Sequence, residues 1–251
     1  MHNSNLRTWF LAAAIGVSIC LTPRTLLGNE RTSAEGRTIR TQDAGEEMEY
    51  YPPYLALGLK AGTLGFGTEL TLGLFEEALN LRLGGNYLPL KFSGKIEDVD
   101  YEFEINWSSV PILLDWHPFN NNFRISGGMI YNRNRANLDA RLNESQKIGD
   151  QEYSPEEIGT LSGTADFKNF APYIGLGFGN AVGGPDTGWN FIFDIGVMFQ
   201  GTPSISLSAD GTKSADPVFM RNLAEEKADV QEEADKFRFY PVISAGVSYQ
   251  F

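Results

Sequence analysis

Cysteine, histidine and positive charge are all scarce in this chain, and each scarcity removes a class of function. A single cysteine, Cys20, excludes a disulfide scaffold and any multi-cysteine metal site. Two histidines, His2 and His117, leave little material for a metalloenzyme or a histidine-dependent hydrolase. Lysine and arginine number 20 against 32 aspartates and glutamates, for a net charge of −12, and no basic run interrupts that balance. An electrostatic footprint for nucleic acid is therefore missing. Also missing, anywhere after the N-terminal region, is an apolar run approaching the ~18–20 residues of a membrane-crossing helix. What is abundant is glycine, 27 of 251 residues, together with 12% aromatics. That mixture suits β structure, in which aromatics cover pleated surfaces and glycine permits bends.

The N-terminus reads as an export signal. Arg7 precedes the apolar run Trp9–Leu21 (WFLAAAIGVSICL), too short to span a bilayer but long enough for a signal-peptide core. Cleavage is expected near Gly28, giving a signal peptide over 1–28. Val17-Ser18-Ile19-Cys20 resembles a lipoprotein box, but Ile19 is too large for the position before the cysteine, so Cys20 is expected to leave with the signal. Residues 29–50 are polar, charged and aperiodic, the composition of a flexible periplasmic linker. The barrel domain is expected over 51–251.

From Tyr54 onward side chains alternate with period 2, so that successive residues face opposite sides of a strand. Eight such segments are expected, near 54–63, 67–74, 79–92, 101–116, 123–135, 170–180, 189–199 and 237–251. One face of each is apolar: Leu55/Leu57/Leu59 in the first, Val110/Ile112/Leu114/Trp116 in the fourth, Ile243/Ala245/Val247/Tyr249/Phe251 in the last. Short links at 75–78, 117–122 and 181–187 alternate with long acidic ones near 93–100, 136–169 and 203–236. The pattern predicts an all-β, eight-stranded, antiparallel up-and-down transmembrane barrel. Lys60, Glu69, Arg82, Asp115, Arg124, Asp194 and Arg238 all fall opposite the apolar faces. In a barrel this narrow the interior is filled by side chains, so these seven are expected to form a lumen charge network. A soluble barrel with its grease inside would need a heavily charged exterior. The polar face here is instead rich in Gly, Ser and Asn.

Within the last long link, Ser214–Phe237 reads as helical: Ser214 or Asp216 can cap it, Pro217 suits its first turn, and Phe219, Leu223, Val230 and Ala234 recur at helical spacing. It is either a lid or docking helix over the barrel mouth or a solvated extension of the last hairpin. The acidic loops either focus small cations or simply keep the surface soluble. His117 falls in a short turn at the periplasmic side, away from any nucleophile, and reads as a turn residue. Gly175-Leu176-Gly177-Phe178-Gly179 begins inside a strand with no helix after it, so it fails as a nucleotide loop.

The stretches PYIGLGFGNAVGG, GWNFIFDIGVMFQGTPSISLSADG and DPVFMRNLAEEKADVQEEADKFRFYPVISAGVSYQF resemble a family of small Gram-negative outer-membrane barrels, the OmpA-like or ornithine-uptake-porin (CarO-type) proteins. The ending Ser244-x-Gly246-x-x-Tyr249-x-Phe251 is similar to the C-terminal signal read by the outer-membrane barrel-assembly machinery. The resemblance implies the fold and a place in the cell outer membrane, with both termini of the barrel periplasmic. It also implies solute uptake, for which no substrate residue can be carried over. Three functions are open at this point: a narrow porin-like path for small basic solutes, a structural or surface-interaction barrel with a plugged lumen, and a lipid-modifying enzyme, which the lone His117 disfavours. No cofactor or metal is expected. The expected partners are outer-membrane lipid, the assembly machinery and small cationic solutes.

Overall fold

A computed structural model of the chain describes residues 54–75, 78–96, 99–183 and 187–251; the expected signal peptide and linker lie outside the described residues. Thirteen strands occur in the described residues: β1 (Leu55–Gly62), β2 (Gly65–Phe75), β3 (Leu79–Ile96), β4 (Val99–Trp116), β5 (Phe123–Asn132), β6 (Arg135–Leu142), β7 (Gln146–Ile148), β8 (Gln151–Tyr153), β9 (Thr160–Asp166), β10 (Phe170–Phe178), β11 (Gly188–Met198), β12 (Ser204–Ala209) and β13 (Tyr240–Gln250). Two α-helices join them, α1 (Pro155–Ile158) and α2 (Pro217–Ala234). Eight strands close a ring in the order β1-β2-β3-β4-β5-β10-β11-β13, with β13 pairing back onto β1. Every ladder in the ring is antiparallel. The expected barrel is present, and its eight strands coincide with the eight alternating segments.

The ring turns its apolar residues outward. Leu57, Leu59, Leu83, Ile112, Leu114, Ile174, Leu176, Phe191 and Ile195 are all exposed, whereas their neighbours Arg82, Leu113, Asp115, Tyr173 and Asp194 are buried. A surface of this kind is a solvation shell for hydrocarbon, because water would leave it unfavourably hydrated. Aromatic pairs mark its two rims. At the end where β1 begins and β13 finishes, here the terminal end, Trp189 packs on Tyr249 with centroids 5.2 Å apart and Tyr249 on Phe251 at 5.4 Å. At the opposite, loop end, Tyr131 packs on Phe170 at 5.4 Å and Phe199 on Phe239 at 5.5 Å. From Phe170 to Phe178, or Trp189 to Phe199, a tilted strand climbs roughly 20–25 Å, the height of the apolar band on membrane barrels.

Above the loop-end rim the chemistry of the two strand faces inverts, while the alternation itself continues. In β4 the residues Ser109, Pro111, Leu113 and Asp115 face the lumen and Val110, Ile112, Leu114 and Trp116 face out. Beyond Ser109 the lumen side becomes apolar, with Phe103, Ile105 and Trp107 buried, while Asp100 and Glu102 are exposed on the outer side. β3 makes the same change at the same height with no slip in register: Tyr87 is exposed opposite Ser108, while on the lumen side buried Asn86 is followed by Leu88, opposite Trp107, which packs inward. One strand thus obeys the rule for lipid below Ser108–Ser109 and the rule for water above it.

The upper halves of β3 and β4 leave the ring and continue as a second sheet, in the order β3-β4-β6-β9-β12. The expectation of long acidic loops is corrected accordingly: 136–169 is largely strand, and 203–236 adds β12 to the same sheet ahead of the expected helix. One face of this sheet is covered by α1, the β7–β8 hairpin and α2. Leu142, Ile148, Tyr153, Ile158, Leu161 and Phe219 form one cluster, and Ile205, Val230 and Ala234 another. Asp216 caps α2 by accepting from the amides of Val218 at 2.9 Å and Phe219 at 3.2 Å, which holds its carboxyl below the usual range. Gln231 blunts the free edge of β12: its Oε1 accepts from the Ile205 amide at 3.0 Å and its Nε2 donates to the Pro203 carbonyl at 2.8 Å. An edge filled in this way offers no template for a further strand at that point.

Candidate functional site: the lumen

The lumen holds three layers, each built by the inward-facing residues of the ring. The middle one is ionic. Arg82 from β3 reaches the barrel centre, where its Nη2 donates to Asp115 Oδ1 at 2.9 Å and to Asp194 Oδ1 at 3.2 Å, and its Nη1 to Asp194 Oδ2 at 3.0 Å and Glu69 Oε2 at 3.4 Å. Arg124 donates to Asp194 Oδ1 at 2.8 Å and to the Gly179 carbonyl, and Lys60 lies 2.8 Å from Glu69 Oε2. Ser126 joins Asp115 at 2.5 Å and accepts from Arg82 at 3.2 Å. Six of the seven expected residues are therefore brought together: Lys60, Glu69, Arg82, Asp115, Arg124 and Asp194. Three cations meet three carboxylates, and the cluster is neutral.

Arg238 is the correction. It follows a short 3₁₀ turn, Asp235–Phe237, ahead of β13; it is exposed, and its Nε donates to the Asp235 carbonyl at 3.1 Å. The alternation that placed it in the lumen extends only to Tyr240, where β13 begins.

Crowding around the guanidinium groups explains the glycine-rich strand. A Cβ on Gly177 would stand 2.5 Å from Arg124 Nε, and one on Gly196 would stand 2.5 Å from the Tyr173 hydroxyl. Those glycines are lumen wall, cut back to admit long side chains, and no nucleotide site is needed to account for them.

On the loop side of the ionic layer, Leu64, Leu113, Ile130, Ala171, Tyr173, Met198 and Val242 form an apolar plug, with Tyr240 packed against it. Tyr240 closes the plug from above. Its hydroxyl donates to the Thr63 carbonyl at 2.7 Å, and Trp107 meets its ring edge-on with centroids 5.3 Å apart. A cavity of about 20 Å³ lies between the ionic and apolar layers, against Lys60, Arg82, Tyr173, Asp194 and Ser244. That volume holds about one water.

The terminal end is closed by the turn after β10. Ala181 and Val182 fold under the lumen against Ala56, and Tyr54 packs onto them. His117 is buried here, at 1% exposure. Its Nδ1 is 2.9 Å from the Asn121 carbonyl, an acceptor only, so Nδ1 carries the proton; Nε2 then accepts from Asn80 Nδ2 at 3.2 Å. Asn80 also donates to Asn180 Oδ1 at 3.1 Å. Burial pushes the imidazole pKa down, and the nearby Arg124 adds to that, against the opposite pull of Asn121 and Asp115. A histidine with a depressed folded pKa contributes stability above its unfolded value, about 6.5, that is lost as pH falls below it. Urea unfolding of the wild type and His117→Asn should therefore differ less at pH 5 than at pH 7. A difference that stays constant across that range would rule out a neutral, structural imidazole.

Of the expected assembly-signal residues, Ser244 faces the lumen cavity, Gly246 passes close over the Lys60 backbone, and Tyr249 and Phe251 stand in the terminal-end aromatic rim. Sequence reasoning missed the plug and the tucked turn at 180–182. Their members are ordinary apolar residues: alternation assigns Leu113, Ile130, Tyr173, Met198 and Val242 to the lumen side, but nothing local shows that they meet as one layer across the ring.

No family model matches the chain, and no curated protein matches it by sequence. In three dimensions it is similar to CarO of Acinetobacter baumannii, at 21% identity and a TM-score of 0.52, over 80% of this chain and 98% of that one. It is also similar to CarO2 of the same organism, at 19% identity and a TM-score of 0.53, over 80% of this chain and 100% of that one. The ring, its closure by β13 on β1 and these two superpositions agree, and the chain has the fold of the CarO barrels.

Proposed function

We propose that the protein is an integral outer-membrane barrel with a closed lumen, which anchors a small sheet-and-helix domain on the cell surface. The observation that carries this reading is the Arg82 guanidinium, ligated by three carboxylates in the middle of the ring and roofed by the apolar plug. A hydrated solute would have to break those ion pairs and then cross a layer whose side chains offer only the hydroxyls of Tyr173 and Tyr240 in place of its water. The narrow path for small basic solutes is disfavoured for the same reason, since its entrant would compete with Arg82 for the same carboxylates. Short turns at the terminal end and the long excursions at the other favour a periplasmic terminal end and an external domain. A role for Ser244, Gly246, Tyr249 and Phe251 in delivery to the barrel-assembly machinery belongs to the same reading, supported by the outward placement of Tyr249 and Phe251. A non-enzymatic role is supported by His117, whose two ring nitrogens are both engaged by Asn80 and Asn121.

Planar-bilayer recording of the refolded barrel tests the closure. The expected trace is silent for the wild type at either polarity. Reproducible conductance steps that change size in Arg124→Glu would overturn the closed lumen and restore the porin-like path.

A further inference from the structure

The loop-end rim carries an uneven distribution of charge. Immediately above the aromatic pair Tyr131–Phe170 stand Arg133 and Lys168, both exposed. The β5–β10 ladder continues to the Asn132 amide, which donates to the Asn169 carbonyl at 2.6 Å, so the two cations extend the same pairing by one position on either side. Like charges directly opposite each other on a ladder are destabilising, which makes the pair a place where a bound anion would be stabilising. The stem of Lys168 lies over Gly201, with its Cδ 3.1 Å from where a Cβ would be, and the Gly201 amide donates to the Arg238 carbonyl at 3.1 Å. Arg238, also exposed, sits above the second pair, Phe199–Phe239. Arg133, Lys168 and Arg238 thus follow the rim across four neighbouring strands, β5, β10, β11 and β13.

The acids of the neighbourhood are committed elsewhere. Asp166 accepts from Arg135 at 2.6 Å, Glu233 pairs with Lys236 at 2.6 Å, and Asp235 accepts from Gln231 at 3.2 Å. Among the described residues no ion pair joins Arg133, Lys168 or Arg238 to a carboxylate. Elsewhere the pattern is not repeated: on β3 and β4, Lys91 is paired with Glu102, the β1–β2 turn is uncharged, and the described turns of the terminal end carry no cation. In a chain of net charge −12, three exposed cations without a carboxylate partner among the described residues share one arc of the aromatic rim.

We infer that this arc is a docking site for a phosphorylated glycolipid of the outer leaflet. Acyl chains would lie on Phe170, Ile174, Phe199 and Phe239, and the sugar phosphates would meet Arg133, Lys168 and Arg238. Long cationic side chains just above an aromatic rim reach headgroup height with their stems in the apolar layer, and guanidinium groups donate to phosphate oxygens in bidentate fashion. The inference rests on membrane placement of the barrel and is independent of whether the lumen conducts. A conducting barrel that held the lipid would thus separate the two readings.

Native mass spectrometry of the full-length folded protein, titrated in non-ionic detergent with diphosphoryl lipid A, tests the assignment. The triple variant Arg133→Gln/Lys168→Gln/Arg238→Gln should bind roughly 100-fold more weakly, about fivefold for each cation removed. Arg141→Gln/Lys147→Gln, which removes two cations from the outer domain, should bind as the wild type does. Heat-modifiable gel migration reports whether the triple variant is folded, and if it is not, Arg133→Gln and Arg238→Gln singly should each lose about fivefold. Unchanged affinity in the folded variants would overturn the site. Equal binding of dephosphorylated lipid or of phosphatidylglycerol would also overturn it, as would displacement by millimolar inorganic phosphate with no preference for the lipid.

Discussion

Arg82→Met should destabilise the barrel by about 3–5 kcal/mol, the largest single-residue effect expected inside the membrane-spanning ring. The methionine fills much of the arginine's volume, so packing changes little and the loss is electrostatic. Glu69, Asp115 and Asp194 would keep only Lys60 and Arg124 as counter-charges, leaving one buried negative charge in excess. Isolated buried charge is the costly state, while a neutral cluster is close to break-even against apolar packing. Adding Asp194→Asn to Arg82→Met restores neutrality and should recover at least half of the loss. Urea titration of heat-modifiable migration in detergent gives both numbers. If the double variant is less stable than Arg82→Met alone, charge balance is not what holds this layer together, and the individual hydrogen bonds of Asp194 to Arg82 and Arg124 must be credited instead.

The same cluster shows what alternation can reveal. Within a strand whose outer face is Leu, Ile and Phe, each intervening residue must enter the lumen, and a charge there must find a partner. Lys60, Glu69, Arg82, Asp115, Arg124 and Asp194 obey that rule because each lies well inside a ring strand. Arg238 does not, because parity is defined only while the chain stays extended, and the 3₁₀ turn at 235–237 resets it. The error changes the chemistry, turning four cations against three anions into an even match.

The outer sheet was harder to see for a related reason. On their covered side β6 and β9 interleave Leu138, Leu142 and Leu161 with Ala136, Ala140, Gly163 and Ala165, and the small residues dilute the apolar face. Their covering layer arrives from α2, far along the chain, so no local window contains both partners. A signal was nevertheless present in β4. Tyr101, Phe103, Ile105 and Trp107 occupy odd positions, and Val110, Ile112, Leu114 and Trp116 even ones. Reading 101–116 as one uniform strand hides the change at Ser108–Ser109. Taken at face value, that change marks where the strand leaves hydrocarbon and begins to line an ordinary protein core.

If the outer sheet and α2 form a core of their own, Phe219→Ala should unseat the helix without opening the ring. Phe219 is 1% exposed and meets Tyr153 edge-on with centroids 4.9 Å apart, and Tyr153 in turn accepts from Asn222 at 3.0 Å. Truncating so buried a ring costs about 3–5 kcal/mol, from lost burial and the cavity left behind. A four-residue α1 and two three-residue strands have little other means of staying on the sheet. Brief trypsin digestion of detergent-folded protein should then cut the variant within α2 at Arg221 and Lys227, with protection at least tenfold lower than in the wild type. Val218→Ala, at a half-exposed position on the same helix, should leave protection unchanged. Heat-modifiable migration of the Phe219→Ala ring should match the wild type, because the apolar plug and the ionic layer contain no residue of α2. Loss of heat modifiability together with helix protection would show that the external domain and the barrel unfold as one unit, and the description of the barrel as an independent anchor would have to be abandoned.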